Sequence, residues 1–267
     1  MKLGVTTLGC PNWTLAEILA RCRSYGYNGI ELRGLGPDLD LAQSPAFATP
    51  AAIQESRKAA DDAGMEICGI DSSARMSDAE AGTWAGHRDH AQQMMTLAEG
   101  LGAPFVRVFG GDGPAPVTLV AERLRQLGDF AAQTGNVTVV LETHDAYSTG
   151  AQVAQAVSLA DHPHVGALWD LHHPFRHGET PQQTWDAIGP YVRQTHVKDS
   201  IPGGTYCLLG DGDLPIKEML SLLVRGGYDG WVNLEWEKRW IPALADPEIA
   251  FPQYAQTLRE YLAELGA

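Results

Sequence analysis

The chain has 267 residues, 33 of them acidic and 19 basic, which gives a formal charge of −14. Hydrophobic residues make up 44% and aromatic residues 8%, an ordinary globular composition with enough apolar side chains for a substantial core. A chain this acidic, with no Lys/Arg run, disfavours nucleic acid, whose phosphate backbone needs cations to displace its counterions.

The elements alternate strand then helix along the whole chain. Strands are predicted at Leu3–Leu8, Gly29–Arg33, Glu66–Ile70, Phe105–Phe109, Val137–Glu142, Val165–Asp170, Val192–Val197 and Trp231–Glu235. Amphipathic helical patterns fall between them at Thr14–Tyr25, Pro50–Ala63, Ala79–Leu101, Val117–Thr134, Gly150–Ala160, Pro181–Ile188 and Ile216–Arg225, and Pro247–Leu265 closes the chain. Gly26, Gly64, Gly102 and Gly135 stand where helices should stop. Pro50, Pro116 and Pro181 suit first-turn positions.

Strict β-then-α order implies parallel strands joined by right-handed crossovers, with helices outside. Eight units in this length predict an α/β fold, a single (β/α)₈ TIM barrel spanning residues 1–267, since such barrels run at about 250 residues. An open doubly wound sheet would carry a G-x-G-x-x-G turn after its first strand; here that strand runs into Leu8-Gly9-Cys10-Pro11. Cys10, Cys22, Cys68 and Cys207 are scattered without a C-x-x-C pair, which argues against a disulfide scaffold or a structural zinc site. Residues 1–10 do not read as a signal peptide, and no apolar stretch is long enough to span a membrane. The expectation is a cytoplasmic protein with reduced thiols.

In such a barrel, chemistry is built at the carboxyl ends of the strands. The last four predicted strands each carry an ionisable residue at their carboxyl end or one position before it: Glu142, Asp170, His196 and Glu235. Period-two counting directs Val140, Leu168, Gln194 and Asn233 to the axis. Four such groups at one mouth, three of them anionic, resist burial unless neutralised, and one divalent cation achieves that. Three oxygens and one nitrogen suit Mn²⁺, Mg²⁺, Co²⁺ or Zn²⁺, with positions left for substrate oxygens.

The strand-closing motifs LETHD, WDLHHPF, HVKDS and LEWEK resemble those of the xylose-isomerase-like sugar isomerase/epimerase family. That family includes ketose 3-epimerases, inosose isomerases and inosose dehydratases, with endonuclease IV-type repair enzymes as distant relatives. The resemblance runs over essentially the whole chain. It implies that Glu142, Asp170, His196 and Glu235 bind one divalent metal, and that Glu142 and Glu235 form the acid/base pair moving a proton beside a carbonyl. It also implies that His173, three residues after Asp170 in a D-x-x-H arrangement, contacts the substrate.

Other candidates are read from position. Lys198 is expected to orient a substrate oxygen, while Asp199 is open between orienting the His196 imidazole and capping a turn. Glu31 and Arg33 share parity on the second strand and Arg107 could join them near the axis, as substrate contacts or as an ion-pair network. Trp13, Phe175, Trp236 and Trp240 lie in loops after strands and could wall a sugar ring, although core or surface packing explains any one of them singly. Two departures narrow the resemblance. The arginine that ketohexose epimerases place six residues beyond the metal-binding histidine is Pro202 here, which sets a free ketohexose in doubt. The additional histidines of a three-zinc repair site are missing from strands two to four.

The expected function is therefore a divalent-metal-dependent isomerase or epimerase acting on a ketose, inosose or related polyol. A lyase that expels a β-hydroxyl after the same proton abstraction is the alternative, and a non-catalytic sugar-binding barrel stands behind both. The expected partner is a small-molecule sugar; neither nucleic acid nor membrane is expected, and homo-oligomerisation is open.

Overall fold

A computed structural model describes residues 1–267. In chain order the elements are β1 (Lys2–Thr6), α1 (Leu15–Tyr25), β2 (Gly29–Leu32), α2 (Pro50–Asp62), β3 (Glu66–Arg75), α3 (Ala81–Leu101), β4 (Phe105–Phe109), α4 (Val117–Thr134), β5 (Thr138–Glu142) and α5 (Gly150–Ala160). They continue with β6 (Val165–Asp170), α6 (His172–Arg176), α7 (Pro181–Ile188), β7 (Val192–Val197), β8 (Asp199–Ser200), β9 (Tyr206–Cys207), α8 (Ile216–Arg225), β10 (Trp231–Leu234) and α9 (Pro247–Glu264). Eight strands close a parallel barrel in the order β1-β10-β7-β6-β5-β4-β3-β2, and β8 pairs with β9 in a separate two-stranded sheet. No helix is long and apolar enough to cross a membrane.

Helix boundaries follow local chemistry. Thr14, Thr149 and Thr180 each accept a backbone N–H from the third residue of their helix, whose own side chain returns the bond; such boxes satisfy two otherwise orphaned donors at each start. Gly26 and Gly102 end α1 and α3 in the left-handed region, at φ 89° and 76°. Pro50 and Pro181 open α2 and α7.

Two compact units are distinguished by their contacts: residues 1–68 with 195–267, and residues 69–194. In the first, Phe251 is the centre of the core. Trp13 meets it edge-on at 5.7 Å and Tyr27 at 6.2 Å, while the Tyr27 hydroxyl donates to the Phe251 carbonyl over 2.9 Å. In the second, Trp169 and Trp185 pack at 6.0 Å, and Met94, Met95, Leu124 and Leu127 are fully enclosed. Burying one such side chain is worth about 1.5–3 kcal/mol.

Three expectations need correction. The first strand stops at Thr6 and gives way to a 3₁₀ turn over Thr7–Gly9. The reason lies at Gly9, where a Cβ would sit 2.5 Å from the Phe251 ring, so the chain turns while pressed against the core. The third strand runs on to Arg75, with a register irregularity between Asp71 and Arg75. The short α6 and the β8–β9 hairpin were not anticipated, because each is shorter than any periodicity can reveal.

Candidate functional site

The first unit contributes an imidazole held by a carboxylate. Glu31 lies on β2 between Ile30 and Leu32, fully buried, and a carboxylate there needs partners. Its Oε2 accepts from His196 Nε2 over 2.9 Å and from Asn233 Nδ2 over 2.7 Å. In the neutral imidazole a proton on Nε2 leaves Nδ1 with its lone pair, and Nδ1 lies 3.5 Å from Glu235 Oε1. Carboxylate–histidine bonds of this kind fix the tautomer and orientation of metal-binding imidazoles. Space for Asn233 comes from β1: Gly4 pairs with Asn233 in register, and a Cβ on Gly4 would fall 2.0 Å from its Oδ1.

Beside this pair stands a second network. The Lys198 ammonium is fully buried and bonds Glu235 Oε2 at very short range, with Glu237 Oε1 at 3.3 Å. Glu237 also accepts from the Tyr206 hydroxyl over 3.0 Å, and the ammonium lies 5.6 Å from the Tyr206 ring centre. Burial raises the pKa of Glu237, Lys198 opposes that shift, and the nearby Glu235 carboxylate adds to it.

The second unit holds the other two strand-end carboxylates. Arg107 Nε lies 3.4 Å from Asp71 Oδ1 and 3.3 Å from Glu142 Oε2, all three residues being buried. The guanidinium also donates to the Ser72 carbonyl and lies 3.8 Å over the Phe109 ring. Asp170 ends β6, and its Oδ1 accepts the backbone N–H groups of His172 and His173 over 2.8 and 3.1 Å, capping the start of α6. The Thr143 hydroxyl bridges the Asp170 backbone, donating to its carbonyl and accepting from its N–H. His173 meets His144 edge-on at 4.6 Å. His144 in turn contacts Asp145 over 2.6 Å, and Asp145 takes the left-handed conformation at φ 52°, uncommon for a residue with a side chain. That bond to His144 is the main reason the Asp145 carboxyl lies below the usual carboxylate range; burial opposes it, and His144, Arg75 and Arg107 add attraction.

Several positional expectations can now be placed. Asp199 caps a turn: its carboxylate accepts from the amides of Ser200, Gly210 and Gly212. Arg107 engages Asp71 and Glu142, and Glu31 engages His196 and Asn233. Trp13 is a core residue gripped by Phe251 and by the Arg21 guanidinium, 4.6 Å over its ring. Trp236 is enclosed against Tyr254 and donates to the Ala245 carbonyl. The polar segment 236–240 works as a clip. Lys238 reaches the Pro242 and Leu244 carbonyls and Asp246, while Arg239 reaches the Gly36 and Pro37 carbonyls. Sequence reasoning missed Asp71, Tyr206, His144 and Glu237. An aspartate directly after the apolar run Ile67–Ile70 was a signal for the first; Tyr206 carried none.

Glu142 and Asp170 are two buried carboxylates of the second unit, and His196 and Glu235 a buried imidazole and carboxylate of the first, residue types that bind divalent ions.

A closed parallel barrel with ionisable residues at the strand ends defines a (β/α)₈ protein of the enzyme-bearing kind. The model of the xylose isomerase-like TIM barrel matches residues 19–264, and the chain belongs to that family. It is 26% identical to inosose dehydratase of Bacillus thuringiensis (strain Al Hakam) over 165 residues, covering 54% of this chain and 53% of that one; the match thus spans about half the length of that relative. It is 22% identical to fructoselysine 3-epimerase of Escherichia coli O157:H7, covering 99% of both chains. The fold resembles that of an L-ribulose 3-epimerase with a TM-score of 0.83 at 17% identity, over 99% of this chain and 95% of the other.

Proposed function

We propose that the protein is a metal-dependent isomerase or epimerase that moves a proton beside a carbonyl in a ketose, inosose or related polyol. The observation that carries this reading is the Glu31–His196 bond, which commits Nε2 and turns Nδ1 toward Glu235. We assign Glu142, Asp170, His196 and Glu235 as ligands of one divalent cation, with Asp170 using the oxygen not taken by the α6 amides. When bound, that cation polarises a sugar carbonyl and acidifies the neighbouring C–H. Glu142, oriented by Arg107, removes or returns the proton on one face, and Glu235, held by Lys198, serves the other. His173 is the substrate contact we assign from the loop after β6. Membership of the family and the epimerase relative support the assignment, and with it residues 1–267 as one catalytic barrel, a small sugar as partner and a cytosolic setting.

A second reading is favoured by a specific feature. The buried Lys198 ammonium on Glu235 is a proton source for a departing hydroxyl, and the dehydratase relative points the same way. Proton abstraction followed by loss of water would then make the protein a lyase.

Incubation with candidate ketoses and inososes in deuterated water, with Mn²⁺ or Co²⁺ supplied, tests both readings. Deuterium should enter beside the carbonyl; an unchanged product composition marks an epimerase or isomerase, and an enone or diketone marks a lyase. Glu142→Gln and Glu235→Gln should each slow exchange about 10²–10⁴-fold. Full exchange in both variants would sink the mechanism, and no exchange across the panel would leave a sugar-binding barrel.

A further inference from the structure

The loops that follow β10, β1 and β2 frame a cavity of about 920 Å³ to which the proposed chemistry gives no role. β10 and β2 both pair with β1, so these are the loops of three neighbouring strands. They also leave the carboxyl ends of those strands, the face on which this fold builds its sites. Glu235 opens the same loop whose continuation, from Lys238 to Pro242, forms one wall.

The lining has a consistent chemistry. Trp13, Trp240, Pro11, Pro37, Pro242 and Pro247 line it, and Trp240 is 49% exposed. The charged residues of the lining are answered within the walls or beside them. Lys238 is bound to two carbonyls and Asp246, Arg239 to the Gly36 and Pro37 carbonyls, and Glu248 to Arg21. Asn12 adds a neutral amide. Lys238 pairs with Asp246 and Arg21 with Glu248, while Arg239, bonded to neutral carbonyls, keeps its charge 5.8 Å from the Trp240 ring centre. Its size falls in the range of pockets that enclose ligands larger than one sugar ring.

We propose that this cavity is a binding subsite for a ring, aryl or pyranose, joined to the sugar that the strand-end residues act on. The substrate class is then a glycoside or similar ring conjugate, not a free monosaccharide. The conclusion about substrate rests on the catalytic reading above; the binding of a ring does not.

Calorimetric titration of the purified full-length protein separates the two. The probes are phenyl β-D-glucopyranoside, cellobiose, methyl β-D-glucopyranoside and glucose. The phenyl glucoside or cellobiose should bind roughly tenfold more tightly than the methyl glucoside, the better of the two identifying an aryl or a sugar ring. Trp240→Ala should remove that gain and Trp240→Phe should keep most of it, with thermal midpoints near that of the parent. Equal affinity for all four probes, or a ring-dependent gain that survives Trp240→Ala, would overturn the subsite. Deuterium exchange into keto-glycosides as well as monosaccharides reads the catalytic proposal independently, so either can fail alone.

Discussion

Glu31 and His196 are 165 positions apart in the chain, yet the imidazole Nε2 donates to the carboxylate over 2.9 Å inside the core. That bond decides which nitrogen of His196 can act as a ligand. It also makes Glu31 a positioning residue whose removal should be felt in metal binding before anything else. Glu31→Gln should weaken divalent-ion affinity about 10–100-fold, the usual cost of losing such a supporting bond. Titration with Mn²⁺ or Zn²⁺, on protein whose fold is verified by circular dichroism, measures it. Unchanged affinity would remove His196 Nδ1 from the ligand set.

Gly4 supports the same arrangement from a distance. Its missing side chain makes room for the Asn233 amide that also holds Glu31. Gly4→Ala should destabilise the protein by about 1–3 kcal/mol through overpacking and lower metal affinity as well. A variant with parental urea midpoint and parental metal binding would show that Asn233 is not needed in its observed position.

Lys198 is shared between Glu235 and Glu237. Lys198→Met leaves two carboxylates without their common cation, and breaking a buried pair in this way costs about 3–5 kcal/mol. Adding Glu237→Gln should recover part of the loss. Chemical denaturation of the single and double variants tests this, and a double variant no more stable than the single one would contradict it.

Cys22 bears on alkaline stability. Burial pushes its thiol from 9.0 to about 12, so between those values the folded state keeps a proton that the unfolded chain releases. Its contribution is complete below pH 9 and is lost as pH rises toward 12. Cys22→Ala should therefore show a shallower fall in urea midpoint between pH 8 and pH 10.5 than the parent. Parallel slopes would count against the thiol as the source.

Metal supply should change stability through mass action. An ion that binds only the folded state adds about 2.7 kcal/mol at a hundredfold excess over its Kd. Chelation should lower the melting midpoint and Mn²⁺ or Co²⁺ restore it, while a Glu142→Gln, Glu235→Gln double variant should respond far less. A midpoint indifferent to chelator would argue against the four-ligand assignment.

The architecture was legible because it is repetitive: apolar strands, capped helices and terminal glycines recur at intervals that pattern recognition detects. Val117–Thr134, Gly150–Ala160, Val165–Asp170 and Val192–Val197 begin and end where periodicity places them. Strand-end ionisable residues were legible for the same reason, since strand position implies a face and an end. What escaped is long-range and particular. Glu31 and His196 meet across 165 residues, Tyr206 reaches Glu237 from a two-residue strand, and Asp199 turns into its own loop. No local pattern encodes a partner so distant, and a single polar residue in a loop leaves its direction open.

Arg239 has a consequence for anyone redesigning this protein. Its guanidinium is bonded to the carbonyls of Gly36 and Pro37, and its own backbone N–H to that of Leu8. One residue thereby rivets together three segments that lie far apart in the chain. Swapping one of them for a homologous segment would tear the rivet and misplace the other two. Transplants aimed at new specificity should therefore move 7–13, 34–38 and 236–247 as one cassette.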